Sequence, residues 1–300
     1  MWLGLAFLSA FLLGCYEVNK KVSLAGNAVI PILFLNTLVS SLVLLPLVAI
    51  SYGSPQLLEG TIFFLPKASL EAHGLLFLKA ALVLSSWIFG YFALKHLPLT
   101  IVGPIKSTQP VLTLLGALLI FQERLNLYQW VGVIIALLSF YLLSIGGKKE
   151  GIDFKRNKYI WFIVLAAIMG ALSGLYDKYL MLRFDVMTVQ VWYTFYQCLI
   201  MFFIWLLMWY PTREKTTPFV WRWNIVFISL FLLAADFVYF YALGLPDSMI
   251  SIVSMVRRSN VVVTFLAGAV FFHERNLRSK AFDVLLVVIA MVFLYLGTRG

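Results

Sequence analysis

Ten apolar segments, each about 20 residues long, follow one another along the chain and are separated by short polar connections. A transmembrane α-helix needs roughly 20 mostly apolar residues, and it satisfies all of its backbone amides within the segment. Only 12% of the 300 residues are charged, about half the usual share, which is too little to coat a water-soluble globule. The sequence therefore predicts an all-α membrane protein with ten transmembrane helices, at residues 2–19, 28–52, 73–95, 98–121, 127–146, 159–181, 186–210, 224–244, 248–272 and 281–298.

The charges, cysteines and histidines argue against several classes of function. The net charge is +10, but the basic residues cluster in the connections, where they face anionic lipid headgroups rather than nucleic acid. Cys15 and Cys198 lie inside apolar segments, and His73, His96 and His273 form no metal-binding motif. We therefore expect no metal, no cofactor and no nucleic acid. The expected partners are the lipid bilayer and a small-molecule solute, and a homodimer is compatible with the sequence.

The two halves of the chain resemble each other. The sequence GCYE at 14–17 corresponds to GLYD at 174–177, and FQER at 121–124 corresponds to FHER at 272–275. A polar, basic stretch at 147–158 separates the halves. Because each half has an odd number of spans, the halves must be oppositely oriented in the membrane. We therefore predict two inverted five-helix repeats, residues 1–146 and residues 159–300.

The fourth segment ends in the sequence PVLTLLGALLIFQERL. Together with ten spans in two halves, this sequence resembles the EamA-type repeat of the drug/metabolite transporter superfamily, over essentially the whole chain. The resemblance implies a ten-helix bundle whose central cavity binds solute by alternating access, and therefore a transporter rather than an enzyme, in a bacterial inner membrane. Glu123 and Glu274 of the F-x-E-R elements are expected to accept backbone N–H bonds at the start of the next helix.

Ionisable residues inside the spans are the first candidates for a binding site, because placing one in mid-membrane costs roughly 2.5–3.5 kcal/mol. Lys106 lies in the fourth span, and Arg257 and Arg258 lie at a similar depth in the ninth. Asp236 in the eighth span is the deepest carboxylate and is expected to hold one arginine. Three cations against one deep carboxylate leave positive charge over, so the sequence favours an anionic solute.

Two further carboxylates, Glu17 and Asp177, lie late in the first and sixth spans. They are candidates for ion pairing or for proton coupling. Glu17 precedes Lys20 and Lys21 at helical spacing, so an exposed salt bridge explains it equally well. Asp177 has Lys178 beside it, and an ion pair near the membrane interface would explain that carboxylate.

Aromatic and amide side chains are expected to form the rest of the cavity wall. Some of them correspond between the two halves, and others lie in the spans that the resemblance places around the cavity. Ordinary packing remains the alternative for each aromatic residue. The candidates are Tyr16, Tyr176, Trp87 and Tyr196, with Tyr91 and Tyr193 as neighbours, and the amides Gln109 and Asn260.

The basic residues are also similar to those of the plastid sugar-phosphate/phosphate translocators of the same superfamily. In that group a lysine in span four and a Lys-Arg pair in span nine hold the phosphate. Lys106 matches the former, while Arg257 and Arg258 match the latter, with arginine in place of the first lysine. This similarity implies a phosphorylated metabolite, and a carboxylate is a second kind of anion. Obligate exchange is expected if the empty positive cavity is too costly to move across the low-dielectric barrier, and proton coupling through Asp236 is the alternative mechanism. An exporter of amino acids or other metabolites with structural basic residues, an anion channel and a flippase remain open.

Overall fold

The computed structural model describes residues 1–96, 105–106, 108–145, 157–270 and 277–298, and all regular structure within these ranges is helical. Most of the predicted linker, the start of the fourth span, Glu274 and the side chain of Tyr91 lie outside the described residues. The helices are α1 (Trp2–Leu24), α2 (Val29–Gly53), α3 (Leu70–His96), α4 (Gln109–Ile120), α5 (Leu127–Ile145), α6 (Lys158–Met181), α7 (Val186–Ile204), α8 (Asn224–Gly244), α9 (Ile250–Arg258), α10 (Asn260–Val270) and α11 (Leu277–Leu296).

The prediction of an all-α membrane protein is confirmed. Helices α1, α2, α3, α6, α7 and α8 are each long and apolar enough to cross a bilayer. α1 continues five residues beyond its predicted end, and α7 is extended by a π-helical turn, Trp205–Trp209. The ninth span consists of two helices, α9 and α10, where the sequence predicts one. The remaining described helices account for the fourth, fifth and tenth spans, which gives a ten-span, multi-pass protein.

Helix packing follows a two-fold internal symmetry. α1 packs mainly against α8, and α3 packs mainly against α6. In the two halves, α1 corresponds to α6 and α3 corresponds to α8. Replacing each helix by its counterpart therefore turns the α1–α8 pair into the α3–α6 pair. The pairs α2–α7 and α5–α11 also pack together. Each of these pairs consists of a helix and its own counterpart, so the same exchange leaves the pair unchanged. This is the arrangement expected of two inverted repeats.

A break at corresponding positions interrupts the fourth and ninth spans. The hydroxyl of Thr108 donates to the Ile105 carbonyl at 2.6 Å, and the hydroxyl of Ser259 donates to the Val256 carbonyl at 2.7 Å. Hydroxyls that bond to nearby carbonyls compete with the helical backbone pattern. Pro110 is the second residue of α4, where a missing N–H costs little. The described breaks, at Thr108 and Ser259, therefore lie one or two residues after the predicted basic residues Lys106, Arg257 and Arg258.

Candidate functional site

A cavity of about 340 Å³ lies at the centre of the bundle, between the first, third, fourth, sixth, seventh, eighth and ninth spans. Its volume is within the range of small-molecule sites in proteins. Ten of the twelve site residues predicted from the sequence line it, namely Tyr16, Glu17, Trp87, Lys106, Gln109, Asp177, Asp236, Arg257, Arg258 and Asn260.

Tyr176 and Tyr196 lie outside the cavity, so their expected place in its wall is corrected. Tyr176 precedes Asp177, and adjacent helical residues point about 100° apart. Its hydroxyl donates to the Leu75 carbonyl at 3.2 Å on the flank of α3. Tyr196 also faces α3, where its hydroxyl lies 3.0 Å from His73 Nδ1. Tyr193, three residues before Tyr196, lines the cavity instead.

A buried ion pair at the cavity wall joins Lys79 of α3 to Asp177 of α6. Their side chains are only 3% and 7% exposed. Lys79 also donates to Ser173 Oγ at 2.8 Å, and its Nζ lies 5.1 Å from the centre of the Tyr193 ring. The expected interfacial pair of Asp177 with Lys178 is therefore wrong. The sequence analysis did not include Lys79, although a single lysine within the apolar run LLFLKAALV is itself a signal of function.

A second charged pair continues this network toward the ninth span. Arg257 Nη2 donates to Asp236 Oδ1 at 2.6 Å, and the guanidinium lies 4.0 Å from the centre of the Tyr239 ring. Tyr239 in turn donates its hydroxyl to Asp177 Oδ2 at 3.1 Å. The ring of Tyr239 therefore connects the Arg257–Asp236 pair with the carboxylate that Lys79 holds.

Arg258 contacts an amide rather than a carboxylate. Its Nη2 donates to Gln109 Oε1 at 2.5 Å. Gln109 is the first residue of α4, directly after the break, and its amide lies against Gly170 of α6. A Cβ at Gly170 would lie 2.7 Å from Gln109 Nε2, so a side chain at this position would displace the amide from its present place. The absence of a side chain at Gly170 therefore helps to position Arg258.

The charges that line the cavity do not cancel. Glu17 pairs with Lys20 at 3.0 Å, Asp177 with Lys79, and Asp236 with Arg257. Lys106 lies beside Gly90 of α3. Among the described residues, neither Lys106 nor Arg258 forms an ion pair with a carboxylate. Two cations therefore remain without a carboxylate partner in the wall of the central cavity.

The two charged residues beside the connection between α8 and α9 have structural roles. Glu123 accepts the backbone N–H groups of Ile250 at 2.6 Å and Ser251 at 3.1 Å. It therefore caps α9, and the expectation from the sequence that it caps the next helix in the chain is wrong. Lys178 is buried and donates to the Leu243 carbonyl at 3.3 Å and to Ser248 Oγ at 2.6 Å. An anion at a helix start and a cation at a helix end both match the helix dipole.

Known proteins share both the sequence pattern and the fold of this chain. An uncharacterized transporter of Archaeoglobus fulgidus is 26% identical over 251 residues, which cover 80% of this chain and 85% of that protein. A protein of known crystal structure shares the fold with a TM-score of 0.69 and 16% identity, and the similarity covers 98% of each chain. The profile of the EamA-like transporter family matches residues 1–145 and 157–296. Because that profile matches both halves, the chain belongs to the EamA-like transporter family of the drug/metabolite transporter superfamily.

Proposed function

We propose that this protein is a secondary transporter that binds a small organic anion in the central cavity and moves it by alternating access. The observation that carries this proposal is the pair of uncompensated cations, Lys106 and Arg258. A phosphate or carboxylate accepts charge-assisted hydrogen bonds from both kinds of side chain. The residue ranges 1–146 and 159–300 would act as the two repeats, in a bacterial inner membrane.

Arg257 supports the same assignment. One of its Nη atoms is bonded to Asp236, but its Nε is buried and meets no acceptor within the described ranges. A buried donor without a partner is costly, and an anionic ligand in the cavity would satisfy it. Asn260 also lines the cavity and can donate or accept a neutral hydrogen bond to the remainder of a phosphorylated or carboxylated metabolite. Thr113 and Ser86 line it too, and because their hydroxyls already donate to backbone carbonyls, they can accept hydrogen bonds from the hydroxyl groups of such a ligand.

The proposal is tested by thermal unfolding of the purified protein with phosphate, sugar phosphates, carboxylates, amino acids and cationic amines. A ligand that binds only the folded state stabilises it by about 2.7 kcal/mol at a hundredfold excess over its Kd. We expect stabilisation by phosphates or carboxylates, and its loss in Lys106→Gln and in Arg258→Gln. The matched control is Arg183→Gln, which removes an exposed arginine whose partner, Glu71, lies 3.9 Å away and outside the cavity.

Stabilisation by amino acids or amines alone would contradict the proposal. It would favour an exporter of amino acids or other metabolites in which the basic residues are structural. Retention of the anion effect in both cavity variants would likewise remove Lys106 and Arg258 from the binding site.

A further inference from the structure

The central cavity is open toward one side of the bundle and closed toward the other. α1 begins on the amino-terminal side of the bundle and runs toward Lys20 on the opposite side. Glu17 and Lys20, which line the cavity near the end of α1, have side chains that are 36% and 25% exposed. Lys79 and Asp177 line the part of the cavity nearer to the amino-terminal side, and both are buried. Solvent therefore reaches the cavity from the side of Lys20, while packed residues close it on the amino-terminal side.

The first turn of α9 forms this closure. Odd-numbered spans begin on the amino-terminal side, and α9 begins the ninth span. Ile250, Ser251, Ile252 and Val253 are each 0% exposed. Successive residues of a helix point about 100° apart, so four buried residues in a row enclose the turn on every side. Because Ser254, the next residue, lines the cavity, this turn fills the path between the cavity and the amino-terminal side.

α4 and α9 are antiparallel neighbours that are bonded at both ends. At the cavity, Arg258 at the end of α9 donates to Gln109 at the start of α4. On the amino-terminal side, the carboxylate of Glu123 accepts the backbone N–H groups of Ile250 and Ser251 and the hydroxyl hydrogen of Ser251. α4 and Glu123 belong to the first half of the chain, and α9 belongs to the second. The contact of Glu123 with α9 therefore joins the two halves directly at the closed side.

A second charge at this corner acts within one half of the chain. Lys178 of α6 donates to the Leu243 carbonyl in α8 and to Ser248, which lies just before α9. All three residues belong to the second half. Their bonds tie the connection between α8 and α9 to α6, so that this corner can move as a unit. Glu123 reaches the same corner from the other half.

We propose that Glu123 is a latch that holds the central cavity closed on the amino-terminal side, and that its bonds to Ile250 and Ser251 break when the transporter opens there. To open this side, the first turn of α9 has to separate from α4. Glu123 is partly exposed, so water can replace the hydrogen bonds that it loses. The buried pair of Lys79 and Asp177 is less suited to this role, because its separation would leave two charges without partners inside the bundle. The proposal rests on the alternating access of the proposed function, but not on the identity of the solute.

The latch is tested by the accessibility of the first turn of α9 to iodoacetamide. Val253→Cys is introduced into the purified full-length protein, in which Cys15→Ala and Cys198→Ala remove the native thiols. Labelling is followed with no solute present. Glu123→Gln keeps the size of the side chain but removes its charge, and it should raise the labelling rate at position 253 by at least about fivefold, because the open state becomes more populated. Ser251→Ala removes only the hydroxyl bond and should raise the rate by a smaller factor.

Two controls separate this opening from general loosening of the fold. Ile163 of α6 is also 0% exposed and belongs to a separate apolar cluster. Labelling at Ile163→Cys should therefore be the same with and without Glu123→Gln. Glu71→Gln removes an exposed carboxylate whose partner, Arg183, lies 3.9 Å away and outside α9. That variant should leave the labelling of Val253→Cys unchanged.

A third variant separates a latch from an ordinary helix cap. Met249 is the N-cap residue of α9, and its side chain does not cap the helix. Met249→Asp would offer a carboxylate to the N–H groups at the start of α9 from within the second half of the chain. Added to Glu123→Gln, it should restore part of the lost thermal stability, because α9 is capped again. Labelling at Val253→Cys should stay fast, because the two halves are still not joined.

Return of the labelling rate to its wild-type value in that double variant would overturn the proposal, since Glu123 would then only cap α9. An unchanged rate in Glu123→Gln alone, or an equal rise at Ile163→Cys, would overturn it as well. Because no solute is present, these outcomes do not depend on whether Lys106 and Arg258 bind an anion. The thermal unfolding experiment with ligands decides that question separately.

Discussion

Replacing Gly170 with alanine should weaken anion binding without touching the anion. The new methyl group would lie 2.7 Å from Gln109 Nε2, where ordinary contact begins at 3.4 Å, so the amide must retreat by about 0.7 Å. The bond from Arg258 to Gln109, now 2.5 Å long, would then stretch to the limit of a hydrogen bond or break. A hydrogen bond to a charged group contributes about 1.5–3 kcal/mol. That is the upper limit of what it costs to hold Arg258 in place without the bond when the anion binds, so the Kd should rise by up to roughly 100-fold.

The assay is the Kd of the anion that stabilises the wild-type protein, measured by its thermal shift. Gly174→Ala is the control, because Gly174 lines the same cavity from α6 but nothing lies within 4 Å of its added Cβ. That variant should bind as the wild type does. Adding Gln109→Asn to Gly170→Ala shortens the amide by one methylene and should restore part of the lost affinity. Wild-type affinity in Gly170→Ala, or strictly additive losses in the double variant, would refute the reasoning.

Three further predictions concern the buried network. Lys79→Met should lower the free energy of unfolding by roughly 3–5 kcal/mol because it leaves Asp177 without its cationic partner. Adding Asp177→Leu should recover most of this loss. An equally low melting temperature in the double variant would contradict the prediction. Glu123→Gln should lower the free energy of unfolding by about 0.5–2 kcal/mol, because α9 loses its charged cap. An unchanged midpoint of thermal unfolding would show that this charge does not stabilise the fold. Tyr239→Phe should lower the free energy of unfolding by about 0.5–1.5 kcal/mol, because it removes the hydroxyl that bonds to Asp177. Tyr239→Leu should lower it further, because leucine also removes the ring beneath Arg257. Equal losses in the two variants, measured by thermal unfolding, would refute the role of the ring.

Prediction from sequence worked best where the membrane itself imposes the rule. Hydropathy places the ten spans because a chain in lipid has to bond its backbone within each helix. The same reasoning places Asp236 and Arg257 inside the bundle, since charges in spans avoid lipid. It applies equally to Lys79, whose omission shows that each isolated charge within an apolar run has to be considered.

Helix rotation limited the prediction of individual side chains. Tyr16 and Tyr176 occupy corresponding positions in the two halves, yet Tyr16 lines the cavity and Tyr176 faces α3. A repeat pattern gives the depth of a residue in the membrane. It does not give the direction of its side chain, which depends on how each helix is rotated about its own axis.

The sequence by itself determined the number of spans, the repeat and the presence of charge in the membrane, because these depend on local composition and on the thickness of the bilayer. Only the tertiary structure decided which charges neutralise each other. Lys79 of α3 forms an ion pair with Asp177 of α6. Glu123 caps α9, whose first residue lies 127 positions further along the chain. Such pairs depend on how helices from opposite halves are rotated and packed. The surplus charge on Lys106 and Arg258 is therefore a property of the folded bundle.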